Sequence, residues 1–110
     1  MAWRAVHRFA RITPRKARLV ADLVRGLSCN QAVELLRFTP KRAAFFVNRV
    51  LHSAMANANE QEAQMNKLYI CEARVDPGPI IKRFQPKDRG RAHPIHKCTS
   101  HIVIAVDERK

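Results

Sequence analysis

Acidic residues are scarce in this chain of 110 residues: nine Asp and Glu stand against 21 Lys and Arg, and none precedes Asp22. A compact domain at a formal net charge of +12 repels itself, so the imbalance implies a polyanionic partner. Nucleic acid is the first expectation and an anionic membrane surface the second. Cysteine is sparse too. Cys29, Cys71 and Cys98 make an odd set with no C-x-x-C pair, which argues against a disulfide framework and for a reducing compartment. Cys29 and Cys71 read as small buried hydrophobes. No apolar run is long enough to cross a membrane, and no glycine-rich loop is present to cradle a nucleotide phosphate. The opening "MAWRAVHRFA" places Arg and His where a secretory signal would be apolar. An organelle transit peptide suits the acid-free start, but Thr13 onward reads as a capped structural helix. Catalytic groupings are equally thin. Asp76 precedes Pro77-Gly78 and has a local role in a turn, while His52 stands on a helical stretch without an acid partner. The chain reads as a non-enzyme that needs no cofactor.

What is present is enough for one globular domain. The hydrophobic fraction of 46% is ordinary, and a chain of 110 residues can close a single core. The positive charge is unevenly spread. Residues 1–21 hold six basic residues and no acid, residues 22–76 hold seven against six, and residues 77–99 hold six against Asp88 alone. Two basic patches on a nearly neutral middle are the footprint of a binding surface.

Hydrophobic periodicity supplies the elements. "WRAVHRFARI" alternates and reads as a strand with Trp3 and Phe9 inward. "TPRKARLVADLVRG" has Thr13 as N-cap, Pro14 at the first helical position and Gly26 past the end, with Ala17, Val20, Leu23 and Val24 as the apolar stripe. "SCNQAVELLRF" carries Ser28 and Gln31 at capping-box spacing, with Ala32, Leu35 and Leu36 inward. A longer helix of about 22 residues starts from Thr39-Pro40, with Ala43, Val47, Val50, Ala54 and Ala58 inward and Phe46 and Leu51 widening the stripe. "KLYICEARVD" then switches to period two, which predicts Tyr69, Cys71, Ala73 and Val75 as its buried face, and "SHIVIAV" buries Ile102, Ile104 and Val106. The expected fold class is α+β: three helices packed on a small three-stranded antiparallel sheet, with a long β-hairpin extension. The division is a globular body of residues 1–76 and 100–110 and an extended hairpin of residues 77–99.

That hairpin is the stretch "GPIIKRFQPKDRGRAHPIHK", residues 78–97. A connection this long inside a compact domain is uncommon and usually functional. If Asp76 lies across from His101, the two arms meet near Asp88-Arg89, where Gly90 can take a turn conformation. Pro79, Pro86 and Pro94 cannot donate to a ladder, which predicts irregular pairing. RNA suits a dense positive arm with few apolar anchors, because Lys and Arg neutralise phosphates and guanidinium groups stack on unpaired bases. A disordered solvated loop is the alternative. A zinc site built from His93, His96, Cys98 and His101 is another, but the spacing is too compressed for a finger and His101 faces away from His96 and Cys98 on an alternating strand.

These residues also resemble a known family. "ITPRKARLVADLVRG", "TPKRAAFFVNRVLHSAMANA", "VDPGPIIKRFQPKDRGRA" and "TSHIVIAV" are similar, over nearly the whole chain, to the bacterial large-subunit ribosomal protein L twenty-two family. The resemblance implies an α+β body near the mouth of the polypeptide exit tunnel. It also implies an extended hairpin that threads through ribosomal RNA and lines the tunnel, and a part in assembly. Carried over by position, it implies RNA contacts for Arg15, Lys16 and Arg18; with the cations of the two basic patches, Arg11, Lys82, Arg83, Lys87, Arg89, Arg91 and Lys97, these make the expected RNA-binding set. It implies a tunnel-lining set of Ile81, Lys82, Arg83, Gly90, Arg91 and Ala92. The implied partners are large-subunit ribosomal RNA, neighbouring ribosomal proteins at the tunnel and, transiently, the nascent polypeptide, with no membrane and no metal. The protein outside the ribosome is expected to be a monomer, and its implied location is the cytoplasmic ribosome, with an organelle ribosome as the alternative. The chain departs from the family pattern at Asp88, where a small residue is usual, and at Pro94 and Cys98, where basic residues are common; Lys97 and His96 are the nearest substitutes for those missing basic groups.

Overall fold

Thr13, Ser28 and Gly26 punctuate the first half of the chain as their chemistry dictates. The computed structural model describes residues 2–87 and 91–109, with side chains left undescribed from 82 to 96. The elements run β1 (Trp3–Ala10), α1 (Pro14–Val24), α2 (Cys29–Phe38), α3 (Arg42–Glu60), a 3-10 turn (Met65–Lys67), β2 (Leu68–Pro77), β3 (Ile81–Lys87), β4 (Arg91–Lys97) and β5 (Ser100–Glu108). The Thr13 hydroxyl accepts from the Lys16 amide and the Ser28 hydroxyl from the Gln31 amide, so each helix start satisfies one orphan N–H. Gly26 takes φ +85°, which lets the chain leave α1 and turn toward α2.

β1, β5 and β2 form one antiparallel sheet in the order β1-β5-β2, with β5 central. The three helices pack on it, as expected for this α+β fold. Ile102, Ile104 and Val106 on β5 are fully buried against Val47, Leu51 and Ala54 of α3 and Val20 and Val24 of α1. Full burial of one such large apolar side chain contributes roughly 1.5–3 kcal/mol. Ala43, Ala44, Ala54 and Ala58 line the inner face of α3 and let that helix lie close to the sheet.

Two strand faces differ from simple alternation. Phe9 is 59% exposed rather than inward, and Ala10 is buried in its place. The cause is a register shift between His7 and Ala10, where Phe9 adopts φ 58° and the strand loses one step of parity. β2 slips in the same way between Ile70 and Glu72. Cys71 is the extra residue, so the buried face is Leu68 and Ile70 before it and Ala73 and Val75 after it; Cys71 is exposed and Tyr69 half-buried.

The helices carry smaller corrections. Leu23 and Leu35 are partly exposed, and Ala21 and Cys29 take the inner places. Thr39 does not start α3. It ends α2, donating its hydroxyl to the Leu35 carbonyl at 2.6 Å. Lys41 is the N-cap of α3, and the helix is 19 residues long rather than 22.

Beyond the sheet, β3 and β4 form a separate two-stranded antiparallel ladder. Asp76 does pair with His101, and the ladder runs from Ile81↔Lys97 to Lys87↔Arg91 without a register shift. The prolines therefore do not make the arm irregular. Phe84↔Pro94 and Pro86↔Ala92 are pairs of one parity, so a ladder bonded through the alternate pairs loses nothing to either proline. The irregularity sits at the foot instead, where three residues (78–80) on one leg face two (98–99) on the other. Buried polar groups fix this foot. The Gly78 amide donates to the Thr99 carbonyl at 2.9 Å, the Thr99 hydroxyl to the Pro79 carbonyl at 2.6 Å, and the fully buried Ser100 hydroxyl to the Ile12 carbonyl at 2.6 Å. The turn expected at Asp88-Arg89 and Gly90 lies outside the described residues.

Candidate nucleic-acid interface

The N-terminal turns of α1 and α3 and the foot of the arm meet in one place. Between them lies an open cleft of about 710 Å³ lined by Arg11, Ile12, Thr13, Lys16, Leu19, Lys41, Arg42, Ala43, Lys97 and Cys98. Five of these ten residues are Lys or Arg, and no acid is among them. All five cations are exposed. Their position opposes the helix dipole: α1 and α3 both lack an acid in the first turn, and Lys16, Lys41 and Arg42 put positive charge against positive helix ends. Such placement costs the isolated fold stability. It favours an external anion, which meets cationic side chains and free helix N–H groups together.

Several cations elsewhere are engaged within the protein. On the outer face of the sheet, Arg4 and Glu72 both pair with Ala105 of the central strand and bridge over it, guanidinium to carboxylate, at 3.3 Å. Arg74 sits 3.3 Å from Glu72 and 3.6 Å from Asp76. Arg25 pairs with Asp22 at 2.8 Å and donates to the Ala73 carbonyl. Arg18 donates through Nε and Nη2 to the Val75 carbonyl, at 3.2 and 3.1 Å. Arg18 and Arg25 thus close part of the open edge of β2. The Gly26–Leu27 backbone closes more of it, with the Gly26 amide donating to the Ile70 carbonyl and the Ile70 amide to the Leu27 carbonyl.

The expected RNA-binding residues consequently divide. Arg11, Lys16 and Lys97 line the cleft, and Arg15 is exposed on the same first turn of α1. Arg18 is engaged with β2. Lys82, Arg83, Lys87 and Arg91 occupy ladder positions opposite His96, Ile95, Arg91 and Lys87, and Ala92 lies opposite Pro86. Ile81 is half-buried at the base of the arm, and Arg89 and Gly90 lie outside the described residues. Lys41 and Arg42 were missed by sequence reasoning. The signal was available, since an acid-free first turn carrying cations is the same anomaly that singled out Arg15 and Lys16.

Among the described residues, no group of three or more His, Cys, Asp or Glu is placed to hold a metal, and no helix is long and apolar enough to cross a membrane. Cys29 is fully buried, and burial with the nearby Cys71 pushes its thiol up to about 11. Cys71 is also raised, first by partial desolvation of its thiol, although the residue as a whole is exposed, and then by the Asp107 carboxylate.

Comparison with known proteins agrees with this arrangement. The family described as ribosomal protein L22p/L17e matches residues 5–107. The large ribosomal subunit protein uL22 of Clostridium novyi is 49% identical over 110 residues, covering 99% of each chain. The protein of the same name from Carboxydothermus hydrogenoformans is 48% identical over 111 residues, covering all of this chain and 98% of the relative. An α+β body, a two-stranded arm on its β2–β5 pair and a match over nearly the full length lead to one conclusion: the chain belongs to the L22p/L17e family of ribosomal proteins.

Proposed function

We propose that the protein binds large-subunit ribosomal RNA, assists its assembly and lines the polypeptide exit tunnel with the tip of its arm. The family is structural and non-enzymatic. The observation that carries RNA binding is the acid-free cleft, where five cations gather at two helix N-termini beside the foot of the arm. A phosphate backbone offsets the repulsion that this clustering creates. In this reading the chain is one domain, with a body of residues 1–76 and 100–110 and an arm of residues 77–99. The body grips RNA through Arg11, Arg15, Lys16 and Lys97 together with Lys41 and Arg42. The arm continues the grip through Lys82, Arg83, Lys87, Arg89 and Arg91. Ile81, Lys82, Arg83, Gly90, Arg91 and Ala92 border the tunnel, where the arm meets neighbouring ribosomal proteins and the passing nascent chain. Support for an extended arm comes from the register, since Ile81↔Lys97 and Lys87↔Arg91 centre the ladder on residue 89.

Two measurements test this. The protein should co-sediment with salt-washed large subunits; absence from them rejects the ribosomal role. Replacing Lys82, Arg83, Lys87, Arg89 and Arg91 by Gln should flatten the salt dependence of binding to a large-subunit RNA transcript. An unchanged slope rejects the role of the arm.

A further inference from the structure

A second exposed feature adjoins the cleft and shares Arg42 with it. Arg42, Phe45, Phe46 and Arg49 fall at i, i+3, i+4 and i+7 on α3, a spacing that places them on one helix face. Phe45 is 61% exposed. Its ring meets Phe46 edge to face at 5.7 Å and 73°, and Phe46 meets His7 of the edge strand β1 at 5.5 Å and 74°. The Arg42 guanidinium lies 5.6 Å from the Phe46 ring centre, and the Arg49 guanidinium lies 5.8 Å from that of Phe45. Phe45 is the exposed ring of this row, Phe46 and His7 are half-buried behind it, and each phenylalanine has one guanidinium beside it.

We propose that this surface is a stacking platform for unpaired RNA bases, with Phe45 as its principal ring. The inference rests on the RNA-binding reading and adds to it a site for bases where the cleft offers sites for phosphates. Single-stranded segments are recognised by aromatic faces that take the base and cations that take the backbone, and both are present here within one helix face. Arg42 belongs to both features, lining the cleft and lying over Phe46, so a strand held in the cleft can pass directly onto the rings. An apolar protein surface would cover Phe45 but leave the two guanidinium groups without counter-charge. A nucleotide satisfies ring and guanidinium together.

The experiment uses the full chain with Phe45→Ala, Phe45→Leu and Phe45→Trp. Phe45 is exposed, so these changes leave the core intact, and thermal melts verify that. Binding is measured to a single-stranded RNA 20-mer and to a 20-base-pair RNA duplex of the same composition. Phe45→Ala should weaken single-strand binding by roughly 5- to 150-fold, the range for loss of one stacked base. It should leave duplex binding and the salt slope unchanged, because stacking releases no counterions. Phe45→Trp should retain single-strand affinity, and Phe45→Leu should lose it as Ala does. Retention by Phe45→Leu would mean that the surface recognises apolar area, as a protein contact does, and overturns the proposal. So does equal weakening for single strand and duplex, or no weakening at all. If the unsubstituted protein binds neither RNA, the RNA-binding reading itself has failed, and the platform falls with it.

Discussion

Replacing Arg11, Lys16, Lys41 and Lys97 together by Gln should weaken RNA binding and stabilise the free protein at the same time. Each of the four lines the cleft and is exposed. A phosphate contact contributes about 0.7–0.9 to the slope of log affinity against log salt. Four contacts therefore account for a slope of roughly 3. Between 50 and 200 mM salt, affinity of the unsubstituted protein for a large-subunit RNA transcript should fall roughly 50- to 150-fold more than that of the variant. The stability effect has the opposite sign. Lys16 and Lys41 place positive charge at the positive ends of α1 and α3, and removing each should stabilise by about 0.3–1 kcal/mol at low salt. Arg4→Gln with Arg74→Gln serves as the control, because both cations already pair with acids on the outer face of the sheet; the slope should change far less. Filter binding over a salt series and urea titration read the two effects. An unchanged slope, or a variant whose lost affinity tracks a loss of fold, refutes the assignment of the cleft.

Two further outcomes follow from the packing. A Cβ on Gly78 would lie 2.5 Å from the Thr99 hydroxyl oxygen and 3.3 Å from the Thr99 backbone. Gly78→Ala should thus cost about 1–3 kcal/mol by overpacking. Combining it with Thr99→Ala should cost less than the sum of the two, as a urea double-mutant cycle reads directly; strict additivity would show that the foot is not packed as described. Cys29 gives a pH effect. Its folded thiol ionises near 11 against an ordinary 9.0, so the folded state holds the proton more tightly than the unfolded one. The associated stability is fully present below pH 9 and is lost as pH rises toward 11, a decline on the order of 2–3 kcal/mol. The Cys29→Ala variant should lack that part of the alkaline decline in urea titrations at stepped pH, and an identical decline would exclude Cys29 as its source.

Periodicity read the helices well because their caps are local chemistry. Thr13, Ser28 and Gly26 act on groups within a few residues of themselves. The hairpin register was equally legible, since two strands that share a long connection have few ways to pair, and Asp76 does face His101. The inward faces of β1 and β2 were not. Each contains one extra residue, Phe9 or Cys71, and a single slip exchanges the two faces of everything on its far side. Nothing in "HRFARI" or "YICEAR" announces a bulge, because no glycine stands there and the cause is cross-strand. Thr39 misled for a related reason: the Thr-Pro pair resembles the start of α1, but the Leu35 carbonyl is within reach of its hydroxyl. The cleft required tertiary structure, since Arg11, Lys41 and Lys97 come from three separate segments of the chain.

The foot of the arm also governs how the protein bears load. β3 continues from β2 and β4 runs into β5, so tension applied to the arm draws both strands in the same direction. β5 is held laterally by β1 from Trp3↔Val106 to Ala10↔Ser100. β2 is held by the Arg18 and Arg25 guanidinium groups and by the backbone bonds of Gly26 and Leu27. These restraints lie across the line of pull and must yield together, rather than opening one after another like a zipper. The arm is therefore anchored as a tension member, with its grip distributed through the central strand of the body.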